Sequence, residues 1–164
     1  MAFSTQVIGT TFANTAADDS AKYALGTRSL ASDGSEWIYV KSGAAITGYD
    51  TVHINSSFVA NSITAALAIT AGDVGFMAAN LSCSTSGQYF WAMVRGNPTL
   101  RVLTACQPAV PLYTTDTAGV LDDATASASH YQVMGTMLDT SNVGSTASGI
   151  AGVANFPMIR RPAA

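Results

Sequence analysis

Charge is scarce in this sequence. Its 164 residues include 7 Lys and Arg and 10 Asp and Glu, or 10% charged residues, against roughly 25% in an ordinary soluble domain. The cations Lys22, Arg28, Lys41, Arg95, Arg101, Arg160 and Arg161 are scattered. A nucleic-acid surface lays several cations along phosphates, so binding to DNA or RNA is not expected. Long apolar runs are also missing. The longest strictly apolar stretches are about five residues, against the roughly 20 a membrane helix needs, so no membrane span is expected. The opening MAFSTQVIGTTF has neither a basic start nor a long apolar stretch. That argues against a cleaved signal peptide and for synthesis and assembly in the cytoplasm. Cysteine occurs twice, at Cys83 and Cys106, with no CxxC pair and no histidine at metal-ligand spacing. Both read as small buried hydrophobes rather than a disulfide. Only two histidines are present, His53 and His130.

Apolar and small polar residues make up most of the rest. Hydrophobic residues are 48% of the chain, and mean hydropathy is +0.27. A chain of this length folds as one domain, or a domain plus an arm, without staples. Residues 1–23 read as an extended N-terminal arm. Phe3, Val7, Ile8 and Phe12 make it apolar enough to need a surface to cover. Residues 24–164 read as a β domain. Asp33-Gly34 is a hairpin turn, followed by the strand Ser35–Ser42, in which Trp37 and Tyr39 face one side and Ile38 and Val40 the other. Both faces are apolar, so this strand is expected to be covered on both. Further strands are expected at 51–54, 63–70, 74–79, 88–95, 99–104, 110–115, 120–122, 131–138 and 150–159. Gly96-Asn97-Pro98 and Asp116–Gly119 are read as hairpin turns, and 139–149 as a polar loop. The expected fold is all-β: a single compact sandwich or partly closed barrel of about eight to ten short strands.

Catalytic signatures are thin. No GxSxG elbow, phosphate-binding glycine loop or calcium-loop spacing is present. His53 in TVHIN reads as a strand residue and His130 in SASHYQ as a loop residue. Asp18-Asp19 and Asp122-Asp123 are adjacent, and neighbouring strand carboxylates point to opposite faces. A glycosidase needs them facing each other across a bond. No catalytic residue, cofactor or metal is therefore assigned. Tyr89 and Trp91 share one face of their strand, either as core and interface or as a sugar platform. Arg95 and Arg101 flank the following turn, either as candidates for ion pairs with a partner or as solvated surface at a hairpin tip. The interface candidates are thus Phe3, Val7, Ile8, Phe12, Tyr89, Trp91, Arg95 and Arg101. An apolar, weakly charged β protein of this kind makes permanent contacts with other subunits.

Several stretches carry a resemblance. They are Asp33-Gly34-Ser35-Glu36-Trp37-Ile38-Tyr39-Val40 with Ser42-Gly43-Ala44-Ala45, and Gln88 through Gly96. Next come Ala109-Val110-Pro111-Leu112-Tyr113-Thr114-Thr115 and then Thr117-Ala118-Gly119-Val120-Leu121-Asp122-Asp123-Ala124. The last are Val133-Met134-Gly135 and Ala151 through Pro157. Over about residues 25–160 the chain resembles the capsid decoration, or cement, proteins of tailed bacteriophages. The TAGVLDDA stretch is the most specific part, and Pro111 departs from the pattern, where a small residue or Gly is expected. The resemblance implies a structural virion protein on the outer surface of the expanded head, assembled in the host bacterial cytoplasm. It implies the major capsid protein as partner and a homo-oligomer, a trimer at threefold positions. On this reading, residues 1–23 order on the capsid. The rival readings are another virion component, such as a tail-tube or head-fibre subunit, and a carbohydrate-binding adhesion module using Tyr89 and Trp91.

Overall fold

A computed structural model describes residues 17–78, 81–124, 130–144 and 146–160. Phe3, Val7, Ile8 and Phe12 lie outside them. The described chain is all-β, with eleven strands and one short 3-10 turn. The strands are β1 (Arg28–Leu30), β2 (Glu36–Ser42), β3 (Thr51–Ile54), β4 (Val59–Ser62), β5 (Asp73–Phe76) and β6 (Tyr89–Gly96). They continue as β7 (Thr99–Val102), β8 (Leu112–Thr114), β9 (Leu121–Asp122), β10 (Gln132–Leu138) and β11 (Ser148–Arg160).

The pairings close two rings. β2, β4, β3, β5 and β6 form a five-stranded barrel sealed by the β2–β6 ladder. β11, β10, β8, β9 and β7 form a second ring, sealed by β7–β11 and by the single parallel pair Val102↔Leu121. β11 joins the rings, because its middle pairs with the end of β6 through Ala154↔Gly96 and Asn155↔Arg95. Each ring has its own core. Ile38, Val40, Val52, Ile54, Phe90 and Ala92 fill the first, and Leu100, Val102, Leu112, Leu121, Val133 and Leu138 fill the second. β5 is the wall between them. Val74 and Phe76 belong to the second core. A Cβ on Gly75 would instead meet Ile54 and Ala92 of the first at 3.2 Å. This period-two alternation lets one strand serve two cores.

The Asp33-Gly34 turn is present, with Gly34 at φ +83° between β1 and β2. β2 is covered on both faces, with Trp37, Ile38, Tyr39 and Val40 all buried. The β8–β9 hairpin also forms. Two expectations are corrected. Residues 63–70 are not a strand: they form a bend with a 3-10 turn at Leu67–Ile69. The Thr64 hydroxyl accepts from the Leu67 N–H, and the Thr70 hydroxyl donates to the Leu67 carbonyl. These local bonds satisfy backbone groups that a ladder would otherwise use. The stretches around Gly96-Asn97-Pro98 are not a hairpin either, because β6 and β7 do not pair with each other. Both lie against β11, at Ala154–Asn155 and at Ser148–Ala151. At thirteen residues, β11 is long enough to receive them in succession.

Candidate functional site

β10 and β11 carry five of the eight exposed large hydrophobic residues among those described. Met134 faces Met158 across the ladder, and Met137 faces Val153. Met134, Met137, Val153, Phe156 and Met158 are between 38% and 59% exposed, while Val133, Thr136, Leu138 and Ala154 are buried beneath them. The spacing depends on one glycine. Gly135 sits at φ +76° at a register shift between Met134 and Thr136. The left-handed backbone there shifts the alternation, so that Val133, Thr136 and Leu138 are all buried, while opposite it β11 advances four residues, from Met158 to Ala154, against two on β10. A Cβ there would lie 2.7 Å from the Asn155 carbonyl oxygen. Beside the face runs a groove of about 420 Å³, lined by Val110, Pro111, Met134, Met137 and Val153 among others, none of them charged.

A polar cleft of about 450 Å³ adjoins this groove and shares Val153 and Asn155 with it. Arg95 and Asn97 line the cleft together with Asp33 and Ser35 of the β1–β2 turn. Asp33 Oδ1 accepts from the Ser35 N–H and hydroxyl at 2.9 and 2.6 Å. Those bonds hold its carboxyl below the usual range. Arg95 is exposed and stands opposite Asn155 of β11.

The other described interface candidates are tied up within the chain. Arg101 Nη1 donates to Asp50 Oδ1 at 3.0 Å, and the Asp50 side chain is only 4% exposed. Tyr89 stacks on Tyr39 at 6.1 Å and 14°, with Lys41 Nζ 5.7 Å over its ring. Trp91 is tilted 53° to Tyr39 and 62° to Tyr23. Tyr39 is itself fully buried, and burial raises its phenol. A sugar platform needs exposed, coplanar rings, whereas Tyr89 and Trp91 are half-buried and Trp91 is tilted to both rings it meets. The cover comes from the described end of the arm. Asp18 and Tyr89 exchange backbone hydrogen bonds at 2.9 and 2.8 Å. Asp19 accepts from the Gln88 side chain at 2.9 Å, and the Lys22 N–H donates to the Tyr39 hydroxyl at 3.1 Å.

The two histidines lie in different parts of the described fold, His53 in β3 and His130 just before β10. His53 Nε2 lies 3.2 Å from the Thr70 hydroxyl, with its ring against Gly72. His130 is buried, 3.6 Å from the exposed Asp116 carboxylate. Neither histidine lines the groove or the cleft. Cys106, Asp122 and Asp123 place three ligand atoms within 4.8 Å of one another. Burial pushes the Cys106 thiol up to about 11 and also raises the Asp122 carboxyl. A protonated thiol beside two carboxylates is a poor cage for a hard cation, which takes six to eight oxygens. Cys83 is free in the first core and Cys106 is free in the second.

Sequence reasoning favours Tyr89 and Trp91 for their size and misses Met134, Met137, Met158, Val153 and Phe156. The signal for them is the imperfect alternation of YQVMGTML, which makes sense only once Gly135 is read as a left-handed break in the alternation. No protein family matches this chain, and no curated protein is significantly similar to it.

Proposed function

We propose that this chain is a non-catalytic structural subunit of a virion, a decoration protein that docks on the outside of the expanded head of a tailed phage and braces neighbouring capsomers. The observation that carries the docking half of this reading is the uncharged, methionine-rich face of β10–β11. Cores of protein interfaces are depleted in charge and enriched in Met and aromatic residues. A body of two closed rings with such a face suits a permanent contact between subunits. The head as partner rests on the resemblance of residues 25–160 to decoration proteins. Binding only the expanded lattice stabilises that lattice by mass action, and many copies multiply a modest contact. The bound form is a trimer at threefold positions, and the arm of residues 1–23 adds to the contact with the shell.

Cosedimentation with expanded, undecorated heads and with unexpanded procapsids tests this. Saturable binding to expanded heads alone, at a stoichiometry tied to threefold sites, is the expected result. Binding to neither shell overturns the reading and moves the search to tail assembly.

A further inference from the structure

Arg95 carries a charge that the body leaves unanswered. Its ladder partner on β2 is Glu36, but Glu36 accepts from Arg28 Nη1 at 3.0 Å. Asp33 lines the same cleft as Arg95, but its Oδ1 is held by the Ser35 N–H and hydroxyl. Lys22, Arg28 and Arg101 all have carboxylate partners, whereas Arg95 forms no ion pair with a described residue.

The register places this cation in one row with the apolar groove. Leu112↔Val133 joins β8 to β10. Next to it on β10, a Cβ at Gly135 would meet the Asn155 carbonyl of β11. Asn155 pairs with Arg95 of β6, and Arg95 pairs with Glu36 of β2. The row therefore runs across the strands rather than along them. Groove and cleft follow it and share Val153 and Asn155. Gly135, which has no side chain, lies between Met134 and Met137 in the groove lining. Adjacent strands are about 4.8 Å apart, so the two steps from Gly135 to Arg95 cover about 10 Å.

The two ends of this row ask for different chemistry. The groove lining is uncharged, so burying an apolar side chain there desolvates no ion. The cleft offers the Arg95 guanidinium with the side-chain amides of Asn97 and Asn155, a set of donors that suits a carboxylate. Asp33 narrows the choice. A fixed carboxylate in the same cleft disfavours a run of negative charge, and with it a phosphate backbone, but leaves room for one acidic group at Arg95.

We infer that groove and cleft are one docking trough for an extended protein segment of the partner. The segment seats a large apolar side chain beside Met134 and Met137 and sets one Asp or Glu carboxylate against Arg95, about three residues further along at about 3.3 Å per residue. The inference rests on the proposed docking face and adds the chemistry of what docks there. The ion pair fixes register and partner choice more than raw affinity.

Pelleting with expanded heads tests it through substitutions at Arg95. Arg95→Glu is expected to bind about tenfold more weakly at about 0.05 M salt, and Arg95→Gln about threefold, with both differences shrinking as salt rises. Arg95→Lys, treated with a carbodiimide while bound, is expected to join its new amine to a shell Asp or Glu as an amide, located by mass spectrometry. Near-ultraviolet circular dichroism matching the unaltered chain shows that each variant is folded, and Arg95→Gln carries the test if Arg95→Glu is not. Equal binding by the unaltered chain and every Arg95 variant overturns the inference, and the docking face still stands if Met137→Asp with Met158→Asp removes binding. A loss that is the same at every salt concentration also overturns it, as does a bound Arg95→Lys chain that links to no shell carboxylate. No binding by the unaltered chain overturns the head reading and the inference together.

Discussion

Asp50 accepts from the Thr47 N–H, the Ser62 hydroxyl and the Arg101 guanidinium, at 3.2, 2.7 and 3.0 Å. Arg101 lies on β7 of the second ring and Ser62 on β4 of the first, so one buried carboxylate ties the rings together. Removing Arg101 leaves that charge unpaired, which for a buried pair is more costly than the pair is worth. Arg101→Ala is expected to lower stability by about 2–4 kcal/mol. A double-mutant cycle with Asp50→Asn should show strong coupling, and additive losses would remove the tie. Two glycines separate backbone cost from crowding. Gly34 has φ +83° and nothing within 4 Å of the point where a Cβ would stand, whereas a Cβ on Gly119, at φ +75°, would run into Asp50. Gly34→Val should therefore cost ~1–2 kcal/mol from left-handed backbone alone, and Gly119→Ala clearly more, both read from denaturant midpoints. The thiols give a pH dependence. Burial pushes Cys83 and Cys106 from 9.0 to about 11. Between those values the unfolded chain loses thiol protons that the folded chain keeps, so stability falls as pH rises above 9. Cys83→Ala should flatten that fall in midpoints measured from pH 8 to 10.5, and an unchanged slope would contradict it.

At the scale of the strand, β5 is the most consequential element. Phe76 is fully buried in the second core while its neighbour Gly75 faces the first. Phe76→Ala is expected to cost about 3–5 kcal/mol and to lower a single unfolding transition monitored by both tryptophan fluorescence and circular dichroism. Two separated transitions would mean that the rings fold independently. Much of the strand content is legible in the sequence, because apolar alternation and the Asp33-Gly34 turn are local signals. What is not legible depends on distant partners. VANS at 59–62 carries little β signal of its own and becomes β4 between two partners, antiparallel to β3 and parallel to Lys41 and Ser42 of β2. Ile63 is apolar, yet its neighbours leave the ladder because Thr64 and Thr70 bond locally. Arg101 looks available to a partner, since nothing near it in sequence announces Asp50. The candidate face is half legible: the methionines are in view, but Gly135 disguises which of them point outward.

Across the whole molecule, two closed rings share a wall and a long joining strand, and most of the ladder edges are paired within the body. Among the described residues that closure leaves few free edges for pairing with other chains, and under the proposed function the contact is therefore assigned to the side chains of β10–β11. Met137→Asp with Met158→Asp places two charges on exposed positions. The fold should be kept within about 0.5 kcal/mol, as at ordinary surface sites, while saturable binding to expanded heads is lost in a pelleting assay. Retained binding would move the contact elsewhere on the body. The most direct measurement is cryo-electron microscopy of expanded heads incubated with the full chain. The account predicts extra density at threefold positions on the outer surface, fitted by the two-ring body with β10–β11 turned toward the shell. Bare threefold positions, or bound bodies with that face turned to solvent, would contradict it.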